Sequence, residues 1–156
     1  MRRLSLIVPM VILILVMFAC GGLSKDELAY NDGVDANNEG RYAEAISRYT
    51  KVIILDPAHT SAYNNRGNAY SDLGEYQTAI EDYDKAILFD PGYASAYYNR
   101  GHTYNELGQI QNAISDFNKA IELIPGLALF YTNRGSSYGE LGQHQNAIAD
   151  YKGHRA

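Results

Sequence analysis

The chain has 156 residues, of which 46% are hydrophobic, a single cysteine and a formal net charge of −5. One cysteine excludes an intrachain disulfide and any cysteine-rich zinc site. The acidic balance argues against a nucleic-acid partner, because affinity there comes mainly from neutralising phosphates.

Residues 1–20 read MRRLSLIVPMVILILVMFAC. Two arginines precede an apolar run from about Leu6 to Phe18, and the small Ala19 sits before Cys20. This is the three-part layout of a secretory leader. The run is shorter than the roughly 20 apolar residues of a membrane-spanning helix, and Pro9 interrupts it. Met17-Phe18-Ala19-Cys20 resembles the bacterial lipoprotein box, in which Ala–Cys marks the cleavage point and the cysteine receives lipid. Met17 replaces the usual leucine and Phe18 is bulkier than the common residue, so an uncleaved anchor and ordinary secretion stay open beside lipidation of Cys20. A buried N-terminal helix suits Arg2-Arg3 and Cys20-Gly21-Gly22 less well than export does. The expected division is a signal peptide at 1–19, a lipidated cysteine and short tether at 20–25, and one repeat domain at 26–156. Cleavage would remove Arg2 and Arg3 and make the chain two charges more negative. Gly21 follows the cysteine where aspartate favours inner-membrane retention, so the lipoprotein analogy points to the outer membrane of a bacterial envelope.

From residue 26 the sequence repeats itself every 34 residues. Gly33, Gly67, Gly101 and Gly135 form one series, and Gly40, Gly74, Gly108 and Gly142 a second. Ala45, Ala79, Ala113 and Ala147 form a third, Tyr49, Tyr83, Phe117 and Tyr151 a fourth, and Pro57, Pro91 and Pro125 a fifth. The repeats span 26–59, 60–93, 94–127 and a shortened 128–156, numbered below from position 1 of each. Each reads as two helices. In the second, a helix over about Ser61–Leu73 is stopped by Gly74, which accepts a left-handed conformation without a Cβ penalty. A second helix runs over about Gln77–Phe89 with apolar Ala79, Ile80, Tyr83, Ala86 and Ile87 at helical spacing, and Asp90-Pro91 closes it. Gly67 and Ala79 mark a close approach of the two helix axes, with Tyr63, Tyr70 and Tyr83 filling the space around it. The first repeat is the most divergent and polar, as a terminal unit of a solenoid tends to be.

This pattern resembles the tetratricopeptide repeat family: an aromatic at position 4 (Tyr63, Tyr97, Tyr131), glycine at 8, tyrosine at 11 (Tyr70, Tyr104, Tyr138), alanine at 20, an aromatic at 24 and proline at 32. Three departures stand out. Position 7, usually leucine, holds Arg66, Arg100 and Arg134. Repeat 1 has Ala29 and Ala36 in place of aromatics, and repeat 4 stops before its proline with His154 at the usual alanine. The resemblance implies an all-α solenoid of antiparallel helix pairs, wound as a right-handed superhelix whose first helices line a concave groove.

Two recurrences exceed what that fold requires. Positions 7 and 23 carry opposite charges in every repeat: Asp32 and Arg48, Arg66 and Asp82, Arg100 and Asp116, Arg134 and Asp150. Pairing across repeats would set like charges together, so the sequence predicts four ion pairs within repeats, joining first helix to second. Position 6 is always asparagine: Asn31, Asn65, Asn99 and Asn133. Asparagine is a mediocre helix residue, and its amide can bond an extended peptide backbone through both ends; the alternative is support of neighbouring helices. With Tyr30, Asn64, Asn68, Tyr98, His102 and Ser136, these asparagines form the expected partner-binding surface, neutral, polar and edged by tyrosine. Tyr30, Ser95 and Asn99 stand where the family's chaperone-tail clamp carries cations, which disfavours an acidic C-terminal motif as ligand.

No catalytic set is visible. His59, His102, His144 and His154 lack the i, i+4 spacing of a helical metal pair, the glycines do not cluster as a phosphate loop, and no metal or cofactor is expected. The sequence therefore points to a membrane-tethered, non-enzymatic adaptor that takes a protein or peptide in its groove, in envelope assembly, secretion or pilus biogenesis. The alternative is a self-associating scaffold, because the end of the fourth repeat is expected to expose apolar surface that includes Ile148 and Tyr151.

Overall fold

The computed structural model describes residues 24–153. The expected leader, Cys20 with the tether as far as Leu23, and the tail from His154 lie outside the described residues.

Among the described residues there are eight α-helices and no strand: α1 (Lys25–Asn38), α2 (Tyr42–Leu55), α3 (Thr60–Asp72), α4 (Tyr76–Phe89), α5 (Ala94–Glu106), α6 (Ile110–Leu123), α7 (Ala128–Glu140) and α8 (His144–Gly153). Both predicted helices of the second repeat begin one residue earlier than their pattern suggested. The turn inside each pair is made by a glycine at positive φ, 77° at Gly74, a conformation that costs other residues a Cβ clash. The turn between pairs starts at an extended residue before proline, such as Asp90 at φ −136° and ψ 93°. At the start of α1, Ser24 and Glu27 form a reciprocal capping box that satisfies two otherwise orphan backbone donors.

Each first helix packs on its own second helix, on the second helix of the preceding pair and on the neighbouring first helices, whereas successive second helices do not touch. An array closer on one side than on the other must curve, and the first helices lie on the inside of the curve. The core is correspondingly linear. Tyr49, Tyr83 and Phe117 are fully buried, one in each of the first three pairs, with Ala45, Ala79 and Ala113 in the same core. Each ring lies close against the glycine of the facing helix: an ideal Cβ on Gly67 would stand 2.7 Å from Tyr83 Cε1. Glycine at position 8 thus sets the distance between the two helices of a pair.

Candidate functional site

The concave face is built from α1, α3, α5 and α7. It carries a cavity of about 350 Å³ bounded by the first three repeats, lined by residues that include Asn68, Asp72, Tyr98, Asn99 and His102. Four of these, Asn68, Tyr98, Asn99 and His102, belong to the surface expected from sequence. Asp72 does not, although its place as the last residue of α3 is shared by Glu106 on α5 and Glu140 on α7. A carboxylate there opposes the negative end of the helix dipole, a local cost accepted three times. Burial raises the Asp72 carboxyl above its ordinary range, and the nearby His102 pulls it back. Tyr30 and Asn31 line a smaller hollow of about 260 Å³ with Glu27, His59 and Ser61, where the Tyr30 and His59 rings stack at 5.2 Å.

The asparagine column does structural work between repeats. Asn65 Nδ2 donates to Tyr30 Oη at 2.9 Å, Asn99 Nδ2 to Asn64 Oδ1 at 2.9 Å, and Asn133 Nδ2 to Tyr98 Oη at 3.2 Å. Each partner lies 35 residues earlier, at position 5 of the preceding repeat. Asn65 Oδ1 also accepts from Asn64 Nδ2 at 3.0 Å, so both ends of its amide are engaged within the solenoid, the supporting role that the sequence left open beside peptide contact. Asn64 is the more enclosed of the two. It is 3% exposed and sits under Asn65 and Asn99 as a buried link. Asn31, first in the column, is exposed. Asn68 Oδ1 accepts from Tyr83 Oη at 2.9 Å, and Ser136 Oγ reaches Thr132 O at 3.2 Å and Tyr151 Oη at 3.3 Å. His102, one period after Asn68, is exposed and lines the cavity, and Phe117, one period after Tyr83, has no hydroxyl to donate.

The position-7 arginines explain their departure from the family's leucine. Arg66 grips Asp82 with two bonds of 2.7 Å, Arg100 grips Asp116 in the same way, and Arg134 Nε meets Asp150 at 2.8 Å. Each guanidinium also lies over a tyrosine at position 4, 5.5 Å from the Tyr63 ring for Arg66. The third arm crosses to position 25 of the preceding repeat: Arg66 to Thr50 at 3.0 Å, Arg100 to Asp84, and Arg134 to Asn118 at 2.6 Å. The sequence carried a signal for this arm, a polar acceptor at position 25 in each of those repeats. Only Asp32 and Arg48, paired at 2.9 Å, reverse the order, in the repeat that has no second helix before it among the described residues. Carboxylate bonding raises Arg66 and Arg134 further above their usual range. Burial is the largest influence on both Arg100 and Asp116; Arg100 is nonetheless raised by its two carboxylates, and Asp116 is raised despite its guanidinium partner.

The electrostatic outcome is asymmetric. Every arginine of α3, α5 and α7 is held by aspartate, while Asp72, Glu106 and Glu140 at the ends of those helices are exposed and enter no salt bridge among the described residues. The face can offer amides, hydroxyls, aromatic edges and negative charge. Among the described residues no three His, Cys, Asp or Glu side chains gather as a metal site.

Models described as TPR repeat match residues 37–74 and 67–108, and tetratricopeptide repeat models match 94–127 and 128–153. A crystal structure of MamA is 30% identical, with a TM-score of 0.77 over 82% of this chain and 75% of that one. The Arabidopsis OM64 TPR domain is 28% identical, with a TM-score of 0.68 over 76% and 95%. The first TPR of Spaghetti (RPAP3), solved bound to the HSP90 peptide SRMEEVD, is 28% identical, with a TM-score of 0.67 over 80% and 94%. A search of curated proteins finds no match.

Proposed function

This chain belongs to the tetratricopeptide repeat family, and from that premise we propose that it is a non-catalytic adaptor whose concave face holds an extended segment of a partner protein. The observation that carries the reading is the cavity where Asn68, Tyr98, Asn99 and His102 meet. The peptide-bound relative offers a precedent for ligand binding on this fold, but its acidic ligand does not transfer. The arginines here are held by aspartate, and Asp72 stands in the cavity. The partner segment is therefore neutral or basic. In this reading residues 1–19 are an export leader, Cys20 carries lipid, and the short tether holds the domain at a bacterial envelope membrane, where it serves assembly, secretion or pilus biogenesis.

The test is a crosslinked pull-down from membranes comparing wild type with an Asp72→Lys, His102→Glu double variant. Both side chains are exposed, so the fold should persist, and circular dichroism checks that it does. A partner captured by wild type and lost from the variant supports the groove. Equal capture by both refutes it. A second reading, self-association into a scaffold, draws on Ile148 and Tyr151 of α8, 44% and 39% exposed. It requires a mass in light scattering that rises with concentration and falls back to monomer in Ile148→Glu.

A further inference from the structure

The outer side of the first repeat carries an apolar hollow of about 300 Å³ lined by Lys25 and Ala29 of α1 and Lys51, Ile54 and Leu55 of α2. Ile54 and Leu55 are 72% and 60% exposed, among the most open large apolar side chains of the described residues, and Leu28 on α1 is also open. Neither lysine enters a salt bridge among the described residues. The nearby acids are turned to other work. Glu27 caps α1 through Ser24 and lines the opposite hollow with Tyr30, Asp56 accepts from the Ala58 backbone in the turn, and neither these nor Asp26 line this hollow. Apolar side chains flanked by lysine on one side of a helix pair suit the boundary between anionic headgroups and acyl chains.

The chain enters the structure at this place. α1 begins at Lys25, and five residue steps separate it from Cys20. Fully extended, five residues span at most roughly 18 Å, which is little more than the thickness of one headgroup layer plus one helix. A domain attached so closely keeps its first repeat within reach of the bilayer. The part that carries exposed apolar side chains and unpaired lysines is this hollow.

We propose that the face formed by Lys25, Lys51, Ile54 and Leu55 lies against an anionic lipid bilayer and so fixes the orientation of the solenoid on the membrane. This rests on the reading that residues 1–20 attach the chain to a membrane. With the first repeat on the lipid, successive repeats lead away from it and leave the concave face open to a partner.

The chain contains no tryptophan, so one introduced indole is a clean depth probe. The full-length Ile54→Trp protein is reconstituted in vesicles of phosphatidylethanolamine and phosphatidylglycerol with brominated acyl chains. Leu141→Trp, at an exposed position just past the end of α7, is the control. The expected result is blue-shifted emission and bromine quenching for Ile54→Trp and neither for Leu141→Trp. Lys51→Gln in the Ile54→Trp background should lower the ratio of docked to undocked protein about five-fold, in line with one lysine near an anionic surface. If the protein floats with vesicles while Ile54→Trp stays as unquenched as the control, the tether stands and this inference falls. If it does not float at all, both fall. Equal quenching at both sites, or a blue shift without quenching that grows with protein concentration, also overturns it; the latter would assign the face to a second copy.

Discussion

Alanine in place of Gly67 should destabilise the protein, although alanine is the better helix former by about 1 kcal/mol. The new methyl carbon would stand 2.7 Å from Tyr83 Cε1, 3.0 Å from Cδ1 and 3.1 Å from Cζ. Carbon atoms rest at about 3.5–4.0 Å, so the ring or the helix must retreat by close to 1 Å. Tyr83 is fully buried and its hydroxyl is tied to Asn68, which leaves the ring nowhere to go. Overpacking of this kind costs about 1–3 kcal/mol; a buried and tethered ring puts Gly67 in the upper part of that range, about 2–3 kcal/mol, so after the helix gain the net loss is about 1–2 kcal/mol. Gly139 is the matched control. It also lies within a first helix, α7, but a Cβ there meets nothing within 4 Å, so Gly139→Ala should gain about 0.5–1 kcal/mol. Urea unfolding followed by circular dichroism separates the two, with midpoints moving in opposite directions at unchanged slope. Equal stability of Gly67→Ala and wild type, or a loss in both variants, would refute the claim that the position-8 glycine sets the helix spacing.

Ala69→Ser should stabilise the fold by about 1 kcal/mol, because Asn37 Oδ1 is buried without a partner while its counterparts Ser71 and Asn105 bond the hydroxyls of Thr103 and Ser137; the urea midpoint checks it. Arg100→Met strands Asp116 and should cost about 3 kcal/mol, whereas Arg48→Met, whose pair with Asp32 is 34% and 52% exposed, should cost less than about 1 kcal/mol; thermal scans of the two variants give the contrast. Burial pushes the Tyr49 phenol from 10.0 up to about 12. The unfolded chain therefore ionises first, so stability is whole below pH 10 and is lost as pH rises through that interval. Tyr49→Phe should shift the alkaline unfolding midpoint, read by far-ultraviolet circular dichroism, to higher pH.

Much of the architecture was legible because a solenoid writes its contacts into its period. Gly74 and Asp90-Pro91 announced where helices stop, since each acts through its own backbone. Gly67 and Tyr83 announced a close contact, because a residue without a side chain recurs opposite an aromatic ring. The pairing of opposite charges at positions 7 and 23 could be argued from sign alone. The candidate surface was less legible. Asn64 and Asn68 look alike in sequence and occupy the same helix, yet one is sealed beneath its neighbours and the other lines the cavity. Asp72 gave no sign that it would stand beside Tyr98 and His102.

By itself, then, the sequence determined the repeat, the helix boundaries and the partners within each helix pair, because local geometry and a fixed period decide those. The tertiary structure decided what passes between repeats: the reach of Arg66 to Thr50, the bond from Asn65 to Tyr30 and the unmatched oxygen of Asn37. A period states which residues are equivalent. The angle at which one repeat stacks on the next, set by packing summed over the whole contact, states which of those equivalents meet, which are covered and which face an open groove.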